Sequence, residues 1–319
     1  MRGILAFTIV VFIAACGGTS AQAPVANSTG SAAVSPAGLA CRLPVYRYVG
    51  GAASDAFITY PNRSLMDASG HGTFFDAAVS RWLPYFANQV SPDGRRYAYT
   101  DGFTANPPTA TRVHVVDAAT DQDIRVVSMP DTQPYFVLDY VAAGVDLGIG
   151  FEGRGPGVWR LDVATGQITK VSNDLYPPEA VWRGAVDSRD PSPVRSQMTG
   201  TPEYNRIDRH AADGTTTTWF YLPGVVLRWI PFAGDSALLV EALGSGGFEY
   251  WLVTGPGQSK KIASATDQAY SALADGFGRA MADSHGVWIG SAQSLYLVSS
   301  AGSIVNEYDQ SAYPAGSCV

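Results

Sequence analysis

Apolar and polar residues alternate with a period of two through most of the chain after residue 41, and Gly-containing turns separate the alternating runs. This period predicts β-strands joined by antiparallel hairpins. The clearest case is residues 91–100, Ser-Pro-Asp-Gly-Arg-Arg-Tyr-Ala-Tyr-Thr. Pro92 presets φ, the Asp93 carboxylate can bond its own backbone, and Gly94 suits a left-handed position. The segment therefore predicts a tight turn that leads directly into a strand.

The strand pattern recurs at intervals of about 45 residues, the length of a four-stranded propeller blade. In each unit two short strands precede a hairpin, and the hairpins lie at residues 111–127, 157–171, 204–221, 248–262 and 294–308. The sequence therefore predicts an all-β, six-bladed β-propeller. The predicted blades are residues 44–85, 86–130, 135–173, 180–222, 225–264 and 276–309. Seven blades remain the alternative, with a further blade within residues 187–202.

Two segments resemble known propellers. Ser-Pro-Asp-Gly-Arg-Arg-Tyr-Ala-Tyr at residues 91–99 resembles the short repeat of TolB-like (WD40-like, Pro-Asp-containing) β-propellers. Gly-Val-Trp-Ile-Gly-Ser at residues 286–291, followed by Leu-Tyr-Leu at 295–297, looks like the blades of extracytoplasmic sensor propellers. The resemblance implies the fold, and the other predicted blades match it in strand pattern alone.

The N-terminal segment predicts export and a lipid anchor. Residues 1–15 contain one arginine and then an apolar run, which is typical of a signal peptide. Ile-Ala-Ala-Cys-Gly at residues 13–17 resembles the lipobox of bacterial lipoproteins, which implies that residues 1–15 are removed and that Cys16 carries lipid. Plain secretion and a chance apolar start are the alternatives. Residues 16–40 then form a flexible tether without charged side chains, and residues 41–319 form the propeller domain.

The number of cysteines predicts a disulfide, and the net charge limits the class of partner. With Cys16 lipidated, Cys41 and Cys318 form an even pair in an oxidising compartment and predict a disulfide, with two unpaired thiols as the alternative. The formal net charge is −7 and no polybasic run occurs, which argues against nucleic acid as a partner. We therefore expect the lipid at Cys16 to provide the contact with the membrane, on the periplasmic side or at the cell surface.

Known catalytic and metal-binding motifs are absent from the sequence. It contains no Gly-x-Ser-x-Gly, His-Glu-x-x-His, P-loop or EF-hand pattern, and its 4 histidines fall in different predicted units. The sequence therefore predicts no catalytic residue, no cofactor and no metal ligand.

Five polar residues lie near the predicted starts of the innermost strands of successive blades and form a candidate site at the mouth of the central channel. Arginine forks bind carboxylate, sulfate or phosphate groups, so this site suits a small anion. As the alternative, the arginines pair with nearby acids, Arg228 with Asp235 and Arg279 with Asp283. The five candidate ligand-binding residues are Asn88, Asp139, Arg183, Arg228 and Arg279.

These observations favour a monomeric, extracytoplasmic, lipid-anchored β-propeller that acts as a non-catalytic binding module. Its expected ligand is an envelope protein, a glycan or a small anion. The alternative is an enzyme, a metal-independent hydrolase or lyase that acts on an acidic sugar or polysaccharide.

Overall fold

The computed structural model describes residues 37–49, 52–68, 72–102, 109–149, 157–172, 182–185, 205–210, 215–234, 236–267, 273 and 280–319. All of them belong to one compact unit, Ala32–Val319. Cys16, the signal segment and most of the predicted tether lie outside the described residues.

Short strands and one 3₁₀ helix make up the secondary structure of the described residues. The 3₁₀ helix is η1 (Ala87–Gln89). The strands are β1 (Arg42–Val49), β2 (Ala52–Thr59), β3 (Ser64–Asp67), β4 (Phe74–Asp76), β5 (Arg81–Leu83), β6 (Arg96–Asp101), β7 (Arg112–Asp117), β8 (Gln122–Ser128), β9 (Tyr135–Val141), β10 (Gly144–Ile149), β11 (Val158–Leu161), β12 (Ile168–Ser172), β13 (Trp182–Ala185), β14 (Arg206–His210), β15 (Thr216–Tyr221), β16 (Val226–Pro231), β17 (Leu238–Gly244), β18 (Gly247–Gly255), β19 (Gln258–Ser264), β20 (Met281–Asp283), β21 (Gly286–Gly290), β22 (Leu295–Val298), β23 (Ile304–Tyr308) and β24 (Tyr313–Pro314).

Consecutive strands pair antiparallel, as in the blades of a propeller. Four-stranded sheets are formed by β9–β12, β16–β19 and β20–β23, and three-stranded sheets by β6–β8 and β13–β15. A fourth four-stranded sheet has the order β24-β1-β2-β3, and β4 pairs with β5 alone. The predicted all-β propeller is therefore confirmed.

Buried apolar side chains fill the space between successive sheets. One core cluster combines Leu43 and Ile58 of the sheet of β1 with Trp288 and Leu297 of the sheet of β20–β23, all less than 5% exposed. Similar clusters join β20–β23 to β16–β19, β16–β19 to β13–β15, and β9–β12 to β6–β8. Strands that contact a neighbouring sheet on both faces, such as β7 and β10, are buried almost continuously, whereas exposed and half-buried residues alternate in the outer strand β8.

The two ends of the propeller domain meet in one sheet. Val45 and Tyr46 of β1 pair with Pro314 and Tyr313 of β24, so the C-terminal strand completes the sheet that the N-terminal strands begin. The predicted disulfide between Cys41 and Cys318 lies beside this pairing, with 5.7 Å between the two Cα atoms. The ring is thus closed by main-chain pairing as well as by a covalent bond.

The blade count and the first blade require correction. The fold counts as a five-bladed propeller, not the predicted six-bladed one or the seven-bladed alternative, although the described strands form six sheets of three or four strands and one two-stranded pair. Residues 44–85 do not form one blade, because β1–β3 take their additional strand from β24 and leave β4 and β5 as a separate hairpin. The periodicity is local, whereas this pairing joins residues about 270 apart, so the pattern could not indicate it.

Residues 86–90 also differ from the predicted strand. They contain η1, followed by a single bridge between Val90 and Tyr97. Side-chain amides account for the difference: Asn88 Nδ2 donates to the carbonyl of Leu138 at 3.0 Å, and the backbone N–H of Phe86 donates to Gln89 Oε1 at 3.1 Å. Such bonds compete with strand pairing.

Candidate functional site

A cavity of about 450 Å³ lies where residues from distant parts of the chain meet. Its lining comes from β1, the start of β4, the segment of η1, the start of β20, and β24. Most of these side chains are apolar. The lining residues are Tyr46, Thr73, Phe74, Phe86, Ala87, Asn88, Ala280, Met281 and Pro314. We call this space the strand-start cavity, because several of its residues lie at the starts of strands.

The closure of the ring builds one wall of the strand-start cavity. Pairing of β1 with β24 places Tyr46 opposite Tyr313, and their rings stack with centroids 5.1 Å apart. The ring of Tyr48 contacts both edge-on, at 5.8 and 6.1 Å. Pro314 follows Tyr313 in β24 and is buried against this wall. Aromatic rings packed in this way form a stiff, apolar surface.

The segment of η1 builds another part of the lining. Gln89 N–H donates to the carbonyl of Phe86, and Gln89 Nε2 donates to the carbonyl of Ala98 on β6 at 3.4 Å. Asn88 Nδ2 attaches the same turn to Leu138 on β9. Phe86, held by these bonds, is 61% exposed, which is unusual for so large an apolar side chain. The segment thus presents an exposed phenyl ring beside the cavity, on a backbone that hydrogen bonds hold in place.

The structure places the five predicted channel residues in different settings. Asn88 lines the strand-start cavity. Asp139 lies on β9 opposite Asp146 of β10, and loss of hydration, with a smaller effect of the Asp146 charge, raises its pKa above the ordinary value. Arg183 lies in β13, but its side chain is outside the described part of the chain. Arg279 is outside it altogether.

Arg228 is the predicted arginine whose side chain is described. Its Nη1 lies 3.5 Å from Oε2 of Glu241, a fully buried carboxylate on the neighbouring strand β17. Asp235, the expected partner, lies outside the described residues. The charge of Arg228 is therefore balanced by an acid, as the alternative interpretation expected, but by a different one.

A second, more polar cleft of about 590 Å³ borders the hairpin of β17 and β18. Its lining includes Glu249, Lys261, Ser264 and Thr266, and Lys261 Nζ donates to Glu249 Oε1 at 2.8 Å. The sequence predicts the hairpin at residues 248–262 here but no binding site, and β17 and β18 are joined by a turn between Gly244 and Gly247. Lys261 and Glu249 in the lining of this cleft already bind each other, so fewer charged groups remain to bind a ligand than the volume of the cleft suggests.

The apolar residues of the strand-start cavity escaped the sequence analysis. Phe74, Phe86 and Met281 each belong to a different predicted blade and carry no motif. These three side chains line one cavity because β4, η1 and β20 lie next to one another in the fold. No local sequence pattern indicates that arrangement. An apolar residue at a strand start also looks the same in a sequence whether it lines a cavity or fills a core.

Comparisons with known proteins add the following findings. No family model and no curated protein match the chain. Among solved structures, TolB from Acinetobacter baumannii aligns with 13% identity and a TM-score of 0.42, over 87% of this chain and 67% of that chain. The acylaminoacyl peptidase of Pyrococcus horikoshii aligns with 14% identity and a TM-score of 0.36, over 84% of this chain and 43% of that chain. Within the described residues no helix is long and apolar enough to span a membrane.

Proposed function

We propose that this protein is an extracytoplasmic, lipid-anchored β-propeller that binds an envelope protein without catalysis, and that an apolar side chain of the partner enters the strand-start cavity. The observation that carries the proposal is the cavity itself. Its volume of about 450 Å³ lies in the range of about 300–1,000 Å³ typical of ligand sites.

The chemistry of the lining favours an apolar occupant. Phe74, Phe86, Met281 and Pro314 contribute rings and aliphatic atoms. The amide nitrogen of Asn88 is already bonded to the backbone of Leu138. Methionine adapts its shape to a guest, and rigid aromatic rings lose little entropy on binding. A polar or charged guest would lose its hydration here without gaining matching partners.

A protein partner is favoured over a free small molecule by the exposed aromatic residues nearby. Phe86 is 61% exposed and Tyr48 is 48% exposed. Exposed rings beside a pocket are characteristic of protein interfaces, where an anchor side chain enters the pocket and a surrounding surface excludes water. The propeller would then act as a rigid platform.

The proposed location rests on the sequence and on the disulfide. The signal segment and the resemblance to a lipobox at Cys16 imply export and lipid attachment. The Cys41–Cys318 disulfide fits an oxidising compartment outside the cytoplasm. Two acyl chains on one cysteine would anchor the protein stably, whereas one chain would not.

The anionic ligand receives less support. Arg228 is paired with Glu241, and the strand-start cavity has an apolar lining. The alternative hydrolase or lyase is not supported by any observation on the described side chains. Substituting Arg183, Arg228 and Arg279 together by Gln tests the arginine site. The triple variant would no longer bind a partner that is held through an anionic group, but it would still bind a partner that is held through an apolar anchor.

Selection from a displayed peptide library tests the proposal. The bait is the purified full chain, and the counter-selection uses Ala87→Trp, which fills the strand-start cavity from an exposed position. We expect enriched peptides to share one aromatic or long aliphatic residue and to bind Ala87→Trp at least tenfold more weakly. A matched exposed substitution away from the cavity, Thr132→Trp, should leave binding unchanged.

Two results would overturn the proposal. One is a consensus of acidic residues without an apolar anchor. The other is a set of peptides that bind wild type and Ala87→Trp equally well. Unchanged thermal unfolding of both Trp variants is the check that the fold is intact.

A further inference from the structure

Three potential metal ligands converge where the ends of the propeller domain meet. Cys41, Cys318 and His285 each provide one donor atom, and these three atoms lie within 4.8 Å of one another. The two sulfurs are joined in the disulfide, and His285 is partly exposed beside them. Two cysteines and one histidine form one of the three-ligand donor sets of catalytic zinc sites, in which the fourth position stays open.

Contacts that do not involve the sulfur atoms hold both cysteines in place. Arg42 N–H donates to the carbonyl of Val319 at 2.8 Å, and Val319 N–H donates to the carbonyl of Arg42 at 2.9 Å. The carbonyl of Cys41 also accepts a hydrogen bond from Tyr60 N–H at 2.8 Å. Each cysteine is therefore adjacent in sequence to a residue of a reciprocal backbone pair that is formed without the sulfur atoms.

One buried carboxylate fixes the other ligand relative to Cys318. Asp283 is 8% exposed, and its Oδ2 accepts hydrogen bonds from Cys318 N–H at 3.0 Å and from Trp288 Nε1 at 2.8 Å. Its Oδ1 accepts from the backbone N–H of His285 at 2.7 Å and lies 3.4 Å from His285 Nδ1. Carboxylates in this position orient ligating histidines in metal sites.

We propose that reduction of the disulfide converts this cluster into a site for a borderline-soft divalent cation such as Zn²⁺. A dithiol reductant supplies two electrons and two protons: its own sulfurs become a disulfide, the Cys41–Cys318 bond breaks, and two thiols form. Binding of the cation then releases the thiol protons to water, because thiolates are the ligands. One ring nitrogen of His285 is the third ligand, and a water molecule occupies the fourth position.

The disulfide and the metal are thus alternative links between the two ends of the domain. Thiolate and imidazole ligands select Zn²⁺ or Cu⁺ over Mg²⁺ or Ca²⁺, which prefer oxygen ligands. The exposed edge of His285 gives the ion a path from solvent. In an oxidising environment the site is closed by the S–S bond, and it opens only when that bond is reduced.

Cobalt binding tests this inference directly. The full chain is reduced with a phosphine, which takes oxygen from water as the S–S bond gives two thiols, and the phosphine is removed without air. We expect one equivalent of Co²⁺ to give a thiolate-to-cobalt charge-transfer band that Zn²⁺ abolishes. The oxidised chain and the Cys41→Ser variant should show no such band, and His285→Ala should bind at least tenfold more weakly. The control variant is His114→Gln, which replaces a histidine of β7 in another sheet, and it should bind Co²⁺ as tightly as wild type does.

Three outcomes of this experiment would contradict the inference. A reduced chain that retains its near-ultraviolet circular dichroism but shows no charge-transfer band lacks the site. A reduced chain that loses this signal shows that the backbone contacts do not hold the ligands. Equal binding by His285→Ala or by the oxidised chain places the metal elsewhere.

Discussion

At the scale of single residues, the turn at residues 91–96 shows how local chemistry determines structure. Ser91 Oγ donates to Asp93 Oδ1 at 2.6 Å and accepts from Arg96 N–H at 2.9 Å. Asp93 Oδ1 also accepts from Arg95 N–H at 3.1 Å, and Gly94 has a φ of 69°. The sequence predicts both the hydrogen bond between the Asp93 carboxylate and the backbone and the left-handed conformation of Gly94, because every interaction of this turn lies within six residues.

The first prediction concerns the pKa of Asp93. The hydrogen bond from Ser91, with that from Arg95 N–H, holds this pKa below its ordinary value. In Ser91→Ala we therefore expect the Asp93 pKa to rise, as measured by NMR titration of the carboxyl carbon. Asp162, whose lowered pKa depends on bonds from Thr165, is the internal control and should not change. An unchanged Asp93 pKa would contradict the assigned bond.

The sign of the effect on stability follows from this shift. Because the folded-state pKa of Asp93 is lowered, its contribution to stability is present above the unfolded-state pKa and is lost as the pH falls through the folded-state pKa. Ser91→Ala should also lower the free energy of unfolding by about 0.5–1.5 kcal/mol at neutral pH, since the N–H of Arg96 loses its acceptor at a partly buried position.

The second prediction contrasts two cross-strand ion pairs of similar geometry. Arg160 binds the fully buried Asp146 through two bonds of 2.7 and 2.9 Å. Arg112 binds Asp101 through two bonds of 2.9 and 2.8 Å, with both side chains at least 36% exposed. We expect Arg160→Met to lower the free energy of unfolding by about 3–5 kcal/mol, because it leaves a buried carboxylate without these donors.

The matched substitution Arg112→Met should cost only about 0–1 kcal/mol, because water screens an exposed pair and can solvate Asp101. Urea unfolding of the two variants measures both costs. Equal costs would show that burial does not decide the strength of these pairs.

At the scale of elements, strands and hairpins were predicted well where strand partners are neighbours in sequence. The predicted hairpin at residues 248–262 is the pair β18 and β19, and that at residues 294–308 is β22 and β23. Prediction failed at β24, which pairs with β1, and at η1, where side-chain amides replace strand pairing. Hydrophobic alternation reports burial along one strand and contains no information about a partner at the other end of the chain.

The third prediction concerns the approach of β24 to β21. A Cβ on Gly290 would overlap the carbonyl oxygen of Ala312 and lie 2.6 Å from the Cα of Tyr313. Gly290→Ala should therefore push β24 away from β21 and lower the free energy of unfolding by about 1–3 kcal/mol.

Gly246 provides the control for this substitution. A Cβ there would have no heavy atom within 4 Å. Gly246→Ala should change the free energy of unfolding by no more than about 0.5 kcal/mol. If the two substitutions had equal effects in thermal or urea unfolding, the close contact at Gly290 would not be a feature of the folded protein.

At the scale of the whole molecule, closure of the ring creates the strand-start cavity. Tyr46 and Pro314 reach it from opposite ends of the propeller domain, Phe86 reaches it from the segment of η1, and Met281 reaches it from β20. The sequence indicated the propeller and the disulfide, and of the cavity residues it singled out only Asn88. The others could not be found, because their meeting depends on the arrangement of the sheets and not on any local signal.

The most direct measurement is NMR of the methionine methyl groups. Of the 5 methionines, Met281 lines the strand-start cavity, whereas Met66 is 51% exposed and Met129 is 3% exposed in a core cluster. Indole and 4-ethylphenol, which resemble aromatic side chains, are titrated into the full chain labelled with [methyl-¹³C]methionine, and sulfate is titrated in parallel. A saturable shift of the Met281 signal with the aromatic probes, and none for Met66 or Met129, is the predicted result. If Met281 does not respond to them, or responds equally to sulfate, the cavity does not bind apolar side chains and the proposed function is wrong.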